Sequence, residues 1–128
     1  MSAKAQISAT RLHYHQQRRL LDIQFSNGVE ASLTAEFLRV FSPSAEVQGH
    51  GNVKLVSHKK QVGISKLTPV GHYAVKLHFD DGHDSGIYSW SYLYQLQQQQ
   101  SALWQDYLNR LRAANAQREQ QIAVTFKP

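Results

Sequence analysis

The chain has 128 residues, with 14 Lys and Arg against nine Asp and Glu, a formal net charge of +5. One domain is the natural expectation at this length, and 41% hydrophobic residues suffice to fill one core. No apolar run approaches the ~20 residues of a membrane span. The first ten residues lack the apolar stretch of a signal peptide, and there is no cysteine for a disulfide or thiolate metal site. These features predict a cytoplasmic protein with no membrane association.

The elements follow in chain order. Ile7 to Phe25 reads as strand, with Leu21, Ile23 and Phe25 alternating against Asp22 and Gln24. Ser26-Asn27-Gly28 then marks a turn before Val29, Ala31 and Leu33. A three-residue loop sets Phe25 opposite Val29, Ile23 opposite Ala31 and Leu21 opposite Leu33. This register buries one consistent face and puts Gly28 at the left-handed position. Thr34 is placed to cap a helix over Ala35–Val40. Gly49 to Asn52 reads as a loop, and Val53–Val56 and Val62–Leu67 as further strands.

Tyr73, Val75, Leu77 and Phe79 then alternate with Ala74, Lys76 and His78, and Asp80-Asp81-Gly82 makes a second turn. The same loop length predicts Phe79 opposite His83, Leu77 opposite Ser85 and Val75 opposite Ile87. Ser89 is placed to cap a helix from Trp90 to Leu96. LDIQFSNGVEASL and VKLHFDDGHDSGI thus form a weak internal repeat, either an old duplication or a chance likeness between hairpins. Leu103, Trp104, Tyr107, Leu108 and Leu111 recur at helical spacing, with Ser101 as the expected cap. The expected fold is α+β: a small antiparallel sheet built from two hairpins, with short helices and a C-terminal amphipathic helix packed on it. Residues 1–114 form the domain. Residues 115–128 are expected to be a flexible tail, with Ile122–Phe126 able to add a short strand.

The charge has an address. Between Val47 and Phe79 lie five lysines and no carboxylate, while the rest of the chain is balanced. Lys54, Lys59, Lys60 and Lys66 are therefore candidate contacts for an anion or nucleic acid, binding weakly. Other constellations are less specific. His78-Phe79-Asp80 matches the His-x-Asp part of a non-haem iron triad but lacks a suitably placed second histidine. Asp80, Asp81 and Asp84 beside His83 suit a turn, a weak cation site or a general base. Tyr88, Trp90, Tyr92 and Tyr94 offer either helix packing or a base-stacking platform. No nucleophile–base spacing stands out, so no catalytic residue is assigned and the protein is not expected to be an enzyme.

The block from Phe79-Asp80-Asp81-Gly82-His83 through Ser85, Tyr88 and Trp90, with Leu38 to Glu46 earlier, resembles the γ-butyrobetaine hydroxylase-like N-terminal domain. That family, formerly a domain of unknown function, also includes stand-alone bacterial members. The resemblance spans roughly residues 7–112 and implies a small noncatalytic α+β domain. In the hydroxylases such a domain holds zinc through a Cys-Pro-Cys-x-x-Cys run and the histidine of Asp-Gly-His. Carried over, the ligand positions are Ser42, Ser44, Val47 and His83, of which only His83 matches. Serine hydroxyls are weak zinc ligands and valine is none, so no metal and no other cofactor is expected. The resulting expectation is an accessory or protein-interaction module, whose protein partner the sequence does not name.

Overall fold

The computed structural model describes residues 6–48 and 55–119. The expected loop at 49–52, Val53, Lys54 and the strand at Ile122–Phe126 lie outside these. Two three-stranded antiparallel sheets, β1-β2-β3 and β4-β5-β6, give an α+β architecture. The first comprises β1 (Ala9–His15), β2 (Leu20–Phe25) and β3 (Glu30–Thr34), leading into α1 (Ala35–Val40) and the one-turn α2 (Ala45–Gln48). The second comprises β4 (Ile64–Val70), β5 (Ala74–Phe79) and β6 (Ile87–Ser89), leading into α3 (Trp90–Gln98) and α4 (Gln100–Ala113).

The expected single strand over Ile7–Phe25 is instead a hairpin, broken by a turn at Gln16–Arg19. Four consecutive polar side chains there bury nothing and end the alternation. The next hairpin has the predicted register, with Leu21 opposite Leu33 and Ile23 opposite Ala31. Gly28 adopts φ 88°, and its amide donates to the Phe25 carbonyl at 3.0 Å. Thr34 caps α1 by accepting from the Phe37 amide at 3.1 Å, a contact worth about 1 kcal/mol.

In the second sheet β4 starts two residues later than the predicted strand and continues through Pro69. A proline is tolerated there because β4 is an edge strand. The Leu55–Val56 part of the other predicted strand is irregular. Tyr73 sits in the β4–β5 turn and is 62% exposed. The predicted pairing of Phe79 with His83 begins correctly, the Phe79 amide donating to the His83 carbonyl at 3.0 Å. It then slips by one residue, so that Val75 faces Tyr88 and Lys76 faces Ile87. A one-residue slip exchanges the faces. Tyr88 becomes fully buried and Ile87 is left 49% exposed. Residues 83–86 leave the ladder to make this change.

The two halves repeat at an offset of 54 to 55 residues, further than the sequence likeness indicated. Both outer strands shift register near their start, at Ala9/Arg11 and Ile64/Lys66. The Ser26 amide donates to Ser8 as the Asp80 amide donates to Gly63. The first helical amides, of Ala35 and Trp90, donate to the carbonyls of Arg19 and Tyr73 in the preceding turns.

The main core lies between the sheets and helices, with Leu21, Ile23, Phe25, Leu33, Phe37, Val75, Leu77, Tyr88 and Leu93 at its centre. A smaller cluster joins Val40, Val47 and Val56 to Tyr107 and Leu111 of α4. The α4 stripe thus packs largely on α1, α2 and the 55–58 segment, with Leu103 and Trp104 reaching the main core. Gln99, without a side-chain cap, precedes α4, and Ser101 lies inside the helix. Gln97–Gln100 runs through the junction of α3 and α4. Beyond Asn115 the described tail is docked. The His58 and Lys60 amides donate to the Gln117 and Arg118 carbonyls at 2.8 and 2.9 Å.

Candidate functional site

Three of the four positions singled out by the zinc resemblance meet in space. The α1 helix ends at Phe41, and Pro43 prevents its continuation. This leaves Ser42 and Ser44 on a short bend beneath the β5–β6 connection, which supplies His83. The His83 Nε2 lies 2.9 Å from Ser42 Oγ and 3.3 Å from Ser44 Oγ. The Ser44 amide also donates to Ser42 Oγ at 3.3 Å. Ser42, Ser44 and His83 are all buried, at 0%, 5% and 7% exposure. Val47 is buried separately among Val40, Val56, Tyr107 and Leu111. The cluster therefore presents one imidazole nitrogen to two hydroxyls, and the fourth position faces hydrocarbon. Among the described residues no group of three His, Cys, Asp or Glu is arranged to hold a metal ion.

An ion-pair brace surrounds this cluster. Asp81 Oδ1 accepts the His83 amide at 3.0 Å. Its Oδ2 receives Arg39 Nε at 2.8 Å and Lys59 Nζ at 2.7 Å. Burial alone would raise the Asp81 pKa. Hydrogen bonds from Lys59, the His83 amide and Arg39 outweigh it and hold the carboxyl at about 2. Tyr88 donates to the Leu38 carbonyl at 2.5 Å and Tyr92 to the Phe41 carbonyl at 2.7 Å, fixing the end of α1. Burial pushes the Tyr88 phenol far above its ordinary range, so it remains a neutral donor. Gly86 completes the packing: a Cβ there would stand 2.5 Å from Ser42 Oγ.

The remaining candidates are dispersed. Lys59 belongs to the Asp81 brace, Lys60 pairs with Glu119 at 2.8 Å, and Lys66 lies on β4 opposite His78. Lys54 is outside the described residues. The His78 ring contacts Thr68 Oγ1 at 2.9 Å, and its Nδ1 is 4.0 Å from Asp84. Asp80 is exposed at the turn. The aromatic series is divided: Tyr88 enters the core, while Trp90 is half-buried and donates its indole N–H to the His72 carbonyl at 2.8 Å. Tyr94 packs edge-on against Phe25 at 5.1 Å.

Sequence reasoning missed a buried charge. Glu36 on α1 is 5% exposed and receives both Nε and Nη2 of Arg118 at 2.9 Å. The Arg118 guanidinium also stands 5.0 Å from the Trp104 ring centroid. The signal available was a glutamate between Ala35 and Phe37, on a helix whose Phe37, Leu38 and Val40 are apolar; buried there, it requires a partner.

These features define a small two-sheet α+β module with a closed polar cluster where its loops converge. The γ-butyrobetaine hydroxylase-like N-terminal family model matches residues 12–94, and the chain belongs to that family. Two NMR solution structures are similar. One is 53% identical over 100% of this chain and 98% of its own, with a TM-score of 0.80. The other is 43% identical over 94% and 96%, with a TM-score of 0.79. A crystal structure of a protein of unknown function of the DUF971 family from Acidithiobacillus ferrooxidans is 36% identical over 70% of this chain and 92% of its own, with a TM-score of 0.61. No curated protein matches this chain. No helix among the described residues is long and apolar enough to cross a membrane.

Proposed function

We propose that this protein is a noncatalytic accessory module that engages a protein partner, and that a serine–histidine hydrogen-bond cluster takes the place of the family's zinc site. The observation carrying this reading is the closure of the Ser42–Ser44–His83 cluster. The imidazole and both hydroxyls have converged, which is the spacing a ligand set needs, but the donors are hydroxyls and all three residues are buried. A hydroxyl keeps its proton near neutral pH and binds zinc poorly, whereas structural sites use four Cys or His donors. The same burial argues against a serine nucleophile, since a substrate carbonyl has no route to Ser42 Oγ without opening the bend. The cluster instead ties the end of α1 to the β5–β6 connection. Exposed Tyr73 and Ile87, both at the second sheet, offer apolar contact area to a partner.

Elemental analysis of protein purified without a histidine tag tests the metal part. The expected result is zinc well below one equivalent. Stoichiometric zinc that disappears in His83→Ala would overturn it. The interaction part is tested by crosslinking in the native host: Tyr73→Ser with Ile87→Ser should abolish one specific crosslinked species. A crosslinking pattern that the double variant leaves unchanged would refute that surface.

A further inference from the structure

A second location concentrates charge without neutralising it. The β1–β2 turn carries Arg18 and Arg19. With Lys60, Arg118, Thr34, Glu36 and Val62 they line a pocket of about 210 Å³. Glu36 is matched by Arg118, and Lys60 is matched by Glu119, whose side chain is 60% exposed. Among the described residues, Arg18 and Arg19 form no ion pair and no side-chain hydrogen bond; Arg18 senses Asp22 only as a nearby charge. The pocket and its partners therefore retain two uncompensated guanidinium groups.

The backbone supplies an independent observation. Arg19 stands at φ 51°, a left-handed conformation disfavoured for a residue with a long side chain. Its carbonyl accepts the Ala35 amide at 3.0 Å, so the turn geometry is needed to start α1. In the second half the corresponding acceptor is the Tyr73 carbonyl, and the left-handed residue of that turn is Gly71, at φ 55° and two positions earlier. Glycine takes this conformation at little cost, whereas arginine does so at a cost of order 1 kcal/mol. The first turn thus places its left-handed residue directly before β2 and on an arginine, two positions later than the glycine of the second turn. Strain retained beside a pocket calls for a use of the side chain.

We propose that this pocket binds a phosphoryl dianion. The guanidinium forks of Arg18 and Arg19 supply paired N–H donors that match phosphate oxygens. Lys60 adds a third cation when the ligand displaces Glu119 from it, and Thr34, whose Oγ1 already caps α1, forms part of the wall. Glu36, held by Arg118, sets the inner limit and repels any ligand that penetrates further. This site is distinct from the serine–histidine cluster and does not depend on the accessory reading.

The test is an NMR amide titration of the intact protein in low-salt buffer with inorganic phosphate, phosphoserine and acetate. The proposal expects saturable shifts centred on residues 18–19, 34–36 and 60 with phosphate, and much weaker shifts with acetate. Tighter binding of phosphoserine than of phosphate would place the source in a modified protein; the reverse order would indicate a free ion. Arg18→Gln with Arg19→Gln should weaken phosphate at least about tenfold. Glu119→Gln, which releases an exposed partner from Lys60, should tighten it roughly two- to fivefold. Absent or dispersed shifts, acetate binding as well as phosphate, or unchanged affinity in the double variant would each overturn the site.

Discussion

Gly86→Ala is the most demanding test of the packing around His83. The added methyl would lie 2.5 Å from Ser42 Oγ, 3.1 Å from Tyr88 Cε1 and 3.4 Å from Pro43 Cδ. Ser42 cannot turn away freely, because its Oγ contacts His83 Nε2 at 2.9 Å and accepts the Ser44 amide at 3.3 Å. Overpacking of this kind costs about 1–3 kcal/mol, and losing one buried hydrogen bond adds about 1 kcal/mol. Replacing glycine restricts the unfolded chain and returns about 0.4–1 kcal/mol. The net expectation is a loss of about 1–3.5 kcal/mol. Ser42→Ala alone should cost about 1–2 kcal/mol, since His83 keeps Ser44 at 3.3 Å. In the double variant the methyl occupies the space the hydroxyl leaves, and only the Tyr88 contact stays tight. Its loss should fall short of the sum of the singles by about 1–2 kcal/mol. Urea denaturation followed by the fluorescence of Trp90 and Trp104 measures all three. A Gly86→Ala change below about 0.5 kcal/mol, or strict additivity, would refute the account of the cluster as rigidly packed.

Asp81→Asn should flatten the acid limb of the stability curve. The Asp81 pKa is lowered from 3.8 to about 2, so its contribution is present above pH 3.8 and is lost as pH falls toward 2. After solvent screening, the variant should be about 1–2 kcal/mol less stable at pH 7 and close to wild type at pH 2. Thermal melts across this range check it, and a gap independent of pH would contradict it. Tyr107→Phe should be neutral or stabilising by up to about 1 kcal/mol, because the buried Tyr107 hydroxyl has no hydrogen-bond partner among the described residues. A marked loss in chemical denaturation would reveal a partner for it. Arg118→Ala should cost about 2–3 kcal/mol by leaving Glu36 buried and unpaired, and adding Glu36→Gln should recover part of the loss. Hydrogen exchange in α1 should rise in the single variant and subside in the double; unchanged exchange in both would show the pair to be dispensable.

Local patterns in the sequence determined much of this molecule. Alternation fixed β2, β3 and β5, Ser26-Asn27-Gly28 fixed the first register, and Thr34 and Ser89 marked the helix starts they cap. These depend on neighbouring residues, whose periodicity and turn chemistry can be read along the chain. The meeting of Ser42 and Ser44 with His83 was legible only through a family resemblance, because no local rule relates residues about 40 positions apart. The slip that buries Tyr88 and exposes Ile87 was not legible at all. Both registers satisfy the hairpin turn, and the choice rests on a phenol that reaches the Leu38 carbonyl. The lysine-rich stretch shows the same limit. Its charge could be counted in the sequence, but tertiary structure decided that Lys59 and Lys60 pair with the carboxylates of Asp81 and Glu119, while Arg18 and Arg19 form no ion pair among the described residues. Charge compensation depends on separation in space, and only the packed fold sets that distance.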